Sequence, residues 1–325
     1  SVLTTLERDP GEWRDKQLFH GDREAIDRIA VRGPGGEVVL ARRGDAYWIE
    51  SPPAARDRAD RDLVDSLLAD LTGMRAERFV DDPQKTPART LEGMGLAPPK
   101  ASVEVALRGS AKPFAVELGG PTGPAPPAQP PPLPTEPGPP PQTPAIYARA
   151  GGQVFETVQT NLEAAGARSA ADWRAKALSG LQVYQVESAK VSDAAGALDL
   201  SRSGTDWKRG SVTISYTPVS DLLFAVTGSK ATRLLSADEA RALGAPLDKP
   251  LLTVAMKGEG KAGSETVTLY PPVAAGVPAR ASGRDTVLLL ARDQLDNIQK
   301  QVAAVRGAPP VKPEKPAPAT TPAKL

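Results

Sequence analysis

The chain of 325 residues contains no cysteine and a single histidine. Without thiols there is no disulfide, no thiolate nucleophile and no Cys-ligated zinc or iron–sulfur centre. With His20 alone, multi-histidine metal sites are excluded, and a histidine-centred triad would have to be built on that one imidazole. Aromatic residues make up only 4%, a poor supply for base-stacking platforms or sugar-binding shelves. An excess of one charge is missing too. Lys plus Arg number 40 against 39 Asp plus Glu, so no global field attracts nucleic acid or anionic lipid. No apolar run reaches about 18 residues, which excludes a transmembrane helix within this sequence. The start lacks the charged and then apolar regions of a secretory signal.

Proline, by contrast, is abundant and uneven. Pro121 to Pro144 holds 13 of the 34 prolines and Ala308 to Leu325 holds 6, which leaves 15 in the other 283 residues. That remainder is ordinary usage, roughly 5%. The pattern predicts a normal globular chain with one Pro-rich insert and one Pro-rich tail. Both segments should be extended and solvated, because proline lacks the N–H and fixes φ.

Residues 1–17 are charged and helix-permissive. Three short strands follow at Ile26 to Val31, Val38 to Ala41 and Ala46 to Ile49, separated by Gly33-Pro34-Gly35-Gly36 and Gly44-Asp45, which predicts an antiparallel meander. Leu63, Val64, Leu67, Leu68 and Leu71 then recur at helical spacing, predicting a helix over Asp60 to Thr72 with Gly73 as its cap. Asp60 and Asp62 sit in the first turn, where the helix dipole favours carboxylates. A strand is expected at Ala76 to Val80. Thr86-Pro87 reads as the start of a short helix ending near Gly93. Alternation predicts strands through Val103 to Leu107 and Phe114 to Leu118. After the Pro-rich insert come Ala145 to Arg149, Gln153 to Val158, and a helix capped by Ser169 that carries Asp172, Trp173 and Ala177.

The second half repeats this order. Val183 to Val186, Ala197 to Leu200 and Asp206-Trp207 stand for the meander, and Thr217-Pro218 begins a helix ended by Gly228. Leu67-Leu68-x-x-Leu71-Thr72-Gly73 recurs as Leu222-Leu223-x-x-Val226-Thr227-Gly228 at an offset of 155. Gly95, Lys100, Val105 and Gly109 recur as Gly244, Lys249, Val254 and Gly258 at 149. Ala148-Arg149-Ala150-x-Gly152 recurs as Ala279-Arg280-Ala281-x-Gly283 at 131. The drop of 18 between the last two offsets fits an insert present only in the first copy. Ser236-Ala237-Asp238-Glu239 is a capping box, and Leu295, Ile298, Val302 and Val305 mark a closing helix. After Gly307 the composition predicts disorder. The expected fold class is α+β, two tandem copies of a module with antiparallel strands and packed helices. The expected divisions are 1–17, 18–178 with the loop 121–144, 179–306 and the tail 307–325.

Candidate chemistry is thin. Gly258-x-Gly260-x-x-Gly263 spells a dinucleotide fingerprint but precedes the strand-like Thr266 to Leu269 instead of a helix, so a hairpin loop is the better reading. His20 has no indicated partner. Asp60, Asp62 and Asp65 lack the glycine turn and distal glutamate of a calcium loop. Arg42, Arg43, Arg56, Arg58 and Arg61 are interleaved with aspartates, which favours local pairing over anion binding. Trp48 and Trp207 end the third strand of each copy; ligand stacking is one reading, but equivalent positions in two copies favour a shared core role. Pro131-x-x-Pro134 and Pro137-x-x-Pro140 could dock on an aromatic groove, though a stiff surface loop is favoured. No residue is assigned a catalytic, cofactor-binding or metal-binding role.

One further pattern is carried by Ile26-Asp27-Arg28-Ile29, Gly36-Glu37-Val38-Val39-Leu40, Trp48-x-x-x-Ser51-Pro52, the Leu63 to Leu71 helix and Ala76-Glu77-Arg78-Phe79-Val80. Gly95-Leu96-x-Pro98-Pro99 and Tyr147-Ala148-Arg149 complete it. The chain resembles a bacterial tandem-repeat family, the domain of unknown function 4340. The insert departs from the family pattern, replacing a short hairpin connection. The resemblance implies an extracytoplasmic protein at the periplasmic face, anchored to the inner membrane by a helix preceding Ser1. Such proteins are often encoded beside gliding-motility-type ABC transporter components. The expectation is therefore a non-enzymatic accessory or scaffold protein that binds ABC-transporter components, with no nucleic acid partner and no cofactor. Two alternatives stay open: a small-molecule or lipid carrier with a cleft between repeats, and a hydrolase whose carboxylates meet only in three dimensions.

Overall fold

A computed structural model describes residues 14–80, 88–123, 145–158, 161–260 and 263–311. The chain divides into two compact units, Ser1–Ala175 and Lys176–Leu325.

In the first unit the meander forms as expected: β1 (Ile26–Gly33), β2 (Gly36–Arg43) and β3 (Ala46–Ser51) pair antiparallel. Helix α1 (Arg61–Thr72) follows. Asp60 caps it by accepting from the Leu63 amide, and Gly73 closes it in right-handed geometry, so its glycine is not required by a positive φ. The strand expected over Ala76 to Val80 shrinks to β4 (Arg78–Phe79). Then come α2 (Ala88–Gly93), β5 (Ala101–Leu107), β6 (Phe114–Pro121), β7 (Ile146–Ala150), β8 (Gln153–Thr157) and α3 (Asn161–Ala167). The eight-stranded sheet runs β3-β2-β1-β5-β6-β7-β8-β4. Its inner face (Ile29, Val31, Leu40, Ile49, Val103, Val105, Val116, Leu118) packs on Val64, Leu67, Leu68 and Leu71 of α1 and on Leu162 of α3. Each such side chain buried contributes roughly 1.5–3 kcal/mol over leaving it in water.

The helix predicted after Ser169 does not form. Its helical stretch lies earlier, in α3, and Ser169 to Trp173 is a turn. The Asp172 carboxylate accepts from the Ser169 hydroxyl at 2.6 Å and from its amide at 3.0 Å, a local closure that competes with helix. Trp173 is fully buried within this turn.

The second unit contains β9 (Val186–Asp193), β10 (Gly196–Ser203), β11 (Asp206–Arg209), β12 (Val212–Ile214), α4 (Tyr216–Thr227), β13 (Arg233–Leu235) and α5 (Ala237–Ala242). It continues with β14 (Leu252–Gly258), β15 (Ser264–Leu269), β16 (Val277–Ala281), β17 (Val287–Leu290) and α6 (Arg292–Gly307). The opening strand is displaced from its expected place: Val183–Gln185 is a 3-10 turn, and β9 begins at Val186. The sheet order is β12-β11-β10-β9-β14-β15-β16-β17-β13. Val219, Leu222, Leu223 and Val226 of α4 and Leu295, Ile298, Val302 and Val305 of α6 cover one face. The capping box opens α5, which packs on the opposite face of β17 through Leu235, Ala240, Val287 and Leu289. Val287–Leu290 is therefore buried at every position, and alternation is lost there.

The strand registers can be compared between the two units at two points. Val31 faces Val103 across β1 and β5, two residues before the Gly33–Gly36 closing pair. Val191, two residues before the Asp193–Gly196 closing pair, faces Val254. Counted from the closing pair of each hairpin, Val254 therefore holds the register position that Val103 holds in the first unit, 151 residues earlier. A two-residue slip leaves every side chain on its own face, so apolar matching cannot detect it. Likewise Trp207 pairs with Arg202 in the second position from its hairpin turn, the position Tyr47 takes opposite Arg42. Trp207, like Tyr47, is a buried core residue. Trp48 lies on the other face of β3, half-buried under the Arg43 guanidinium at 5.7 Å.

The first hairpin tip of each unit is tied to a helix end. Gly35 donates its amide to the Gly166 carbonyl of α3 at 3.0 Å, and a Cβ on Gly35 would lie 2.1 Å from the Arg168 carbonyl oxygen. In the second unit Arg306 of α6 donates to Asp193 Oδ1 at 2.8 Å and to the Gly196 carbonyl at 2.7 Å. Arg209 donates to the Val305 and Arg306 carbonyls at the end of the same helix, where a cation is favoured. Edge strands are also occupied: Asp57 to Ala59 pairs along β3, and the Val311 amide bonds Thr213 beside β12 at 2.9 Å.

Candidate functional site

Each sheet leaves a polar face opposite its main helices. In the first unit this face carries crossed ion pairs: Arg32 with Glu37 at 2.9 Å and Glu104 at 3.6 Å, Arg149 with Glu117, and Arg78 with Glu156. In the second unit β9, β10, β14 and β15 form an open trough of about 450 Å³ lined by Ser188, Lys190, Asp199, Ser201, Lys257 and Thr266. Lys190 lies 3.7 Å from Asp199, and Lys257 lies 3.5 Å from Glu187. Each ammonium is already shared with a carboxylate, so the trough offers hydroxyls without excess positive charge.

The apolar surface is concentrated elsewhere in the second unit. Helix α4 buries Val219, Leu222, Leu223 and Val226 and turns Tyr216, Thr217, Asp221 and Phe224 outward. Phe224 is 61% exposed and Tyr216 43%, and the 3-10 turn that packs on α4 exposes Tyr184 at 67%. Val212 and Val311, at the nearby β12 edge, are also exposed. A Phe held in water forgoes roughly 1.5–3 kcal/mol of burial. In a chain with four Trp, five Tyr and five Phe, three exposed aromatics around one helix are a concentrated display.

The residues considered from sequence are dispersed. His20 is exposed, with Asp15 at 3.8 Å. Asp60 caps α1, and Asp65 pairs with Arg23 at 2.7 Å and Arg61 at 3.5 Å. Arg42 pairs with Glu24 at 2.7 Å and Arg43 with Glu50 at 3.9 Å, so glutamates as well as the interleaved aspartates neutralise the arginines. Arg58 is buried, and Arg56 is exposed. Gly258 and Gly263 close the β14–β15 hairpin through a 2.7 Å amide–carbonyl bond, as the hairpin reading required. The Pro-x-x-Pro motifs and Thr86-Pro87 lie outside the described residues. Among the described residues no three His, Asp or Glu side chains are grouped to hold a metal ion. No described helix is long and apolar enough to cross a membrane.

Titration is perturbed at few points. Burial pushes the Asp70 carboxyl up, partly opposed by a hydrogen bond from Asn161, and one Asp70 oxygen is buried without a partner. Burial also raises the Tyr47 phenol, whose hydroxyl donates to the Ile26 carbonyl at 2.6 Å. The hydrogen bond from Arg108 holds the exposed Asp27 carboxyl down. Glu265 is buried and accepts from the Ser179 hydroxyl at 2.5 Å and the Gly180 amide at 2.8 Å, which fastens the segment leading into the second unit. These are structural uses of polar groups. Sequence reading missed the α4 display. Its only signal was Phe224 standing one position off the Leu222, Leu223 and Val226 stripe.

Among the described residues, helix-backed antiparallel sheets with polar outer faces define an α+β protein, and helix α4 turns aromatic side chains to the solvent. Residues 2–112 match the family model described as Domain of unknown function (DUF4340), and over that part the resemblance read from the residues holds. No curated protein and no solved structure matches the chain.

Proposed function

We propose that this is a non-enzymatic accessory or scaffold protein acting by protein binding, held at the extracytoplasmic face of a membrane and serving an ABC-transporter assembly. The observation that carries the binding role is the exposed α4 face, Tyr216 and Phe224 with Tyr184 beside the helix. The membrane and transporter setting rests on the family resemblance, which the match over residues 2–112 supports in its family part. We infer too that the two units are copies of one module. Counted in chain order, both sheets read 3-2-1-5-6-7-8-4, with β12 added at one edge of the second. Both units also begin with the same pairing: Leu18 to Met74 and Ala76 to Lys16 in one, Leu178 to Ser229 and Ala231 to Lys176 in the other. From Leu118 to Ala148 the chain runs 20 residues further than between their counterparts Leu269 and Ala279, which supports a Pro-rich insert in the first copy.

Affinity purification from native membranes tests the reading. The parent chain should recover transporter subunits, and Phe224→Ser should lose them while keeping its thermal midpoint. Recovery of no transporter subunit, or equal recovery by both proteins, overturns it.

A further inference from the structure

We propose that the outer face of the second sheet binds an acidic saccharide, its carboxylate on Arg280 and its hydroxyls along the trough over β9, β10, β14 and β15. Helix α4 covers the other face of that sheet, so this site stands independently of the protein-binding reading.

Cross-strand register supplies the first observation. Across β2, β1, β5, β6 and β7 the first sheet presents the row Glu37, Arg32, Ser102, Glu117 and Arg149. Each arginine there has a glutamate, Arg32 with Glu37 and Arg149 with Glu117. Across β10, β9, β14, β15 and β16 the second sheet presents Ala197, Ser192, Thr253, Thr268 and Arg280. That row holds an arginine and no carboxylate. Arg280 is half-buried, its Nε is shielded from water without an acceptor, and among the described residues it forms no ion pair. A guanidinium held in this way is short of a planar, two-pronged anion, which a carboxylate supplies. The second observation is the trough. Thr268, which faces Arg280, stands two positions from Thr266 in the trough lining, so cation and trough are continuous on one face. Ser188, Ser201, Ser264 and Thr266 line it beside Ala255, and its volume of about 450 Å³ suits a small organic ligand. Each of these hydroxyls both donates and accepts, as a sugar hydroxyl does. The pairs Lys190–Asp199 and Lys257–Glu187 are exposed and long, at 3.7 and 3.5 Å, so they offer donors and acceptors at little cost while cancelling in charge. Lys208, opposite Ser201, is exposed and lies outside the lining. Among the described residues, Arg280 is therefore the cation left for a ligand on the β15 side. Hydroxyls and one charge, without an aromatic shelf in the lining, select a polar ligand bound through hydrogen bonds.

Nuclear magnetic resonance titration of the full chain compares cellobiouronic acid, which carries one carboxylate, with cellobiose, its neutral counterpart, and with acetate. The acid should shift amides of β9, β14, β15 and β16 and bind at least about tenfold more tightly than either of the others. Arg280→Gln should weaken the acid at least about tenfold. Thr268→Glu supplies Arg280 with the carboxylate that Glu117 gives Arg149, and should weaken the acid as much with the thermal midpoint held or raised. No shift with the acid, equal binding of the neutral disaccharide, or unchanged affinity in Thr268→Glu overturns the proposal. Acetate binding as tightly as the acid also overturns it, by reducing the site to a bare anion contact. Capture of transporter subunits, and its loss on Phe224→Ser, is read separately and bears only on α4.

Discussion

Gly35→Ala is the most direct test of how the first unit is held together. The β1–β2 tip reaches α3 by backbone-to-backbone approach. A Cβ at position 35 would lie 2.1 Å from the Arg168 carbonyl oxygen, 2.4 Å from its carbon and 2.8 Å from the Ala167 carbon. None of these atoms is the end of a flexible side chain, so relief requires the tip and the helix end to separate by more than an ångström. That movement breaks the 3.0 Å bond from the Gly35 amide to the Gly166 carbonyl, about 1 kcal/mol, and loosens packing around Gly166, about 1–3 kcal/mol more. A loss of about 2–4 kcal/mol lowers the midpoint of a unit this size by about 5–15 °C. Native-state hydrogen exchange followed by mass spectrometry separates the two units and should show β1, β2 and α3 opening more readily. Ala195 already stands at the same hairpin position of the second unit, so Ala195→Gly should change stability by less than about 1 kcal/mol. A Gly35→Ala protein within about 0.5 kcal/mol of the parent, with α3 amides still protected, would refute the reasoning.

Other expectations follow from single contacts. Tyr47→Phe removes the buried 2.6 Å bond to the Ile26 carbonyl and should cost about 1–2 kcal/mol in urea denaturation. Arg306→Ala frees Asp193 and Gly196 from α6 and should cost about 1–2 kcal/mol given its partial exposure, with Arg306→Lys recovering part of it. Asp70 has a raised pKa in the fold, so the folded chain binds the proton more tightly than the unfolded one. Its contribution to stability falls as pH rises from the ordinary carboxylate range through the folded value. Asp70→Asn should therefore be more stable than the parent at pH 7, with the difference shrinking on acidification, as measured by denaturation across pH. Asp27 has the opposite sign. Its pairing with Arg108 stabilises above the ordinary carboxylate range and is lost as pH falls, an exposed contribution that added salt should weaken.

Much of the architecture was legible in short windows of sequence. The meander, α1 with its Asp60 cap, the capping box of α5 and the buried stripe of α6 are set by spacings of two to four residues. Hairpin turns, caps and amphipathic stripes act within that range. The misreadings have equally local causes. Ser169 and Asp172 satisfy a turn as well as a helix start, and Val183–Gln185 has strand-like composition but forms a 3-10 turn. Val287–Leu290 went unread because a strand covered on both faces shows no alternation.

The sequence by itself determined the α+β class, most of the elements, the family resemblance over residues 2–112 and the recurrence of matching letters in the second unit. Tertiary structure decided the register of β5 and β14 against their neighbours. It also decided that Trp207 is buried, that Gly35 must remain without a side chain, and that Phe224 stands in water. The Gly35 contact with Arg168 and the pairing of β14 with β9 bring together residues more than sixty positions apart. Local periodicity fixes which side of an element is apolar. Only packing between distant elements fixes which part of that side is covered.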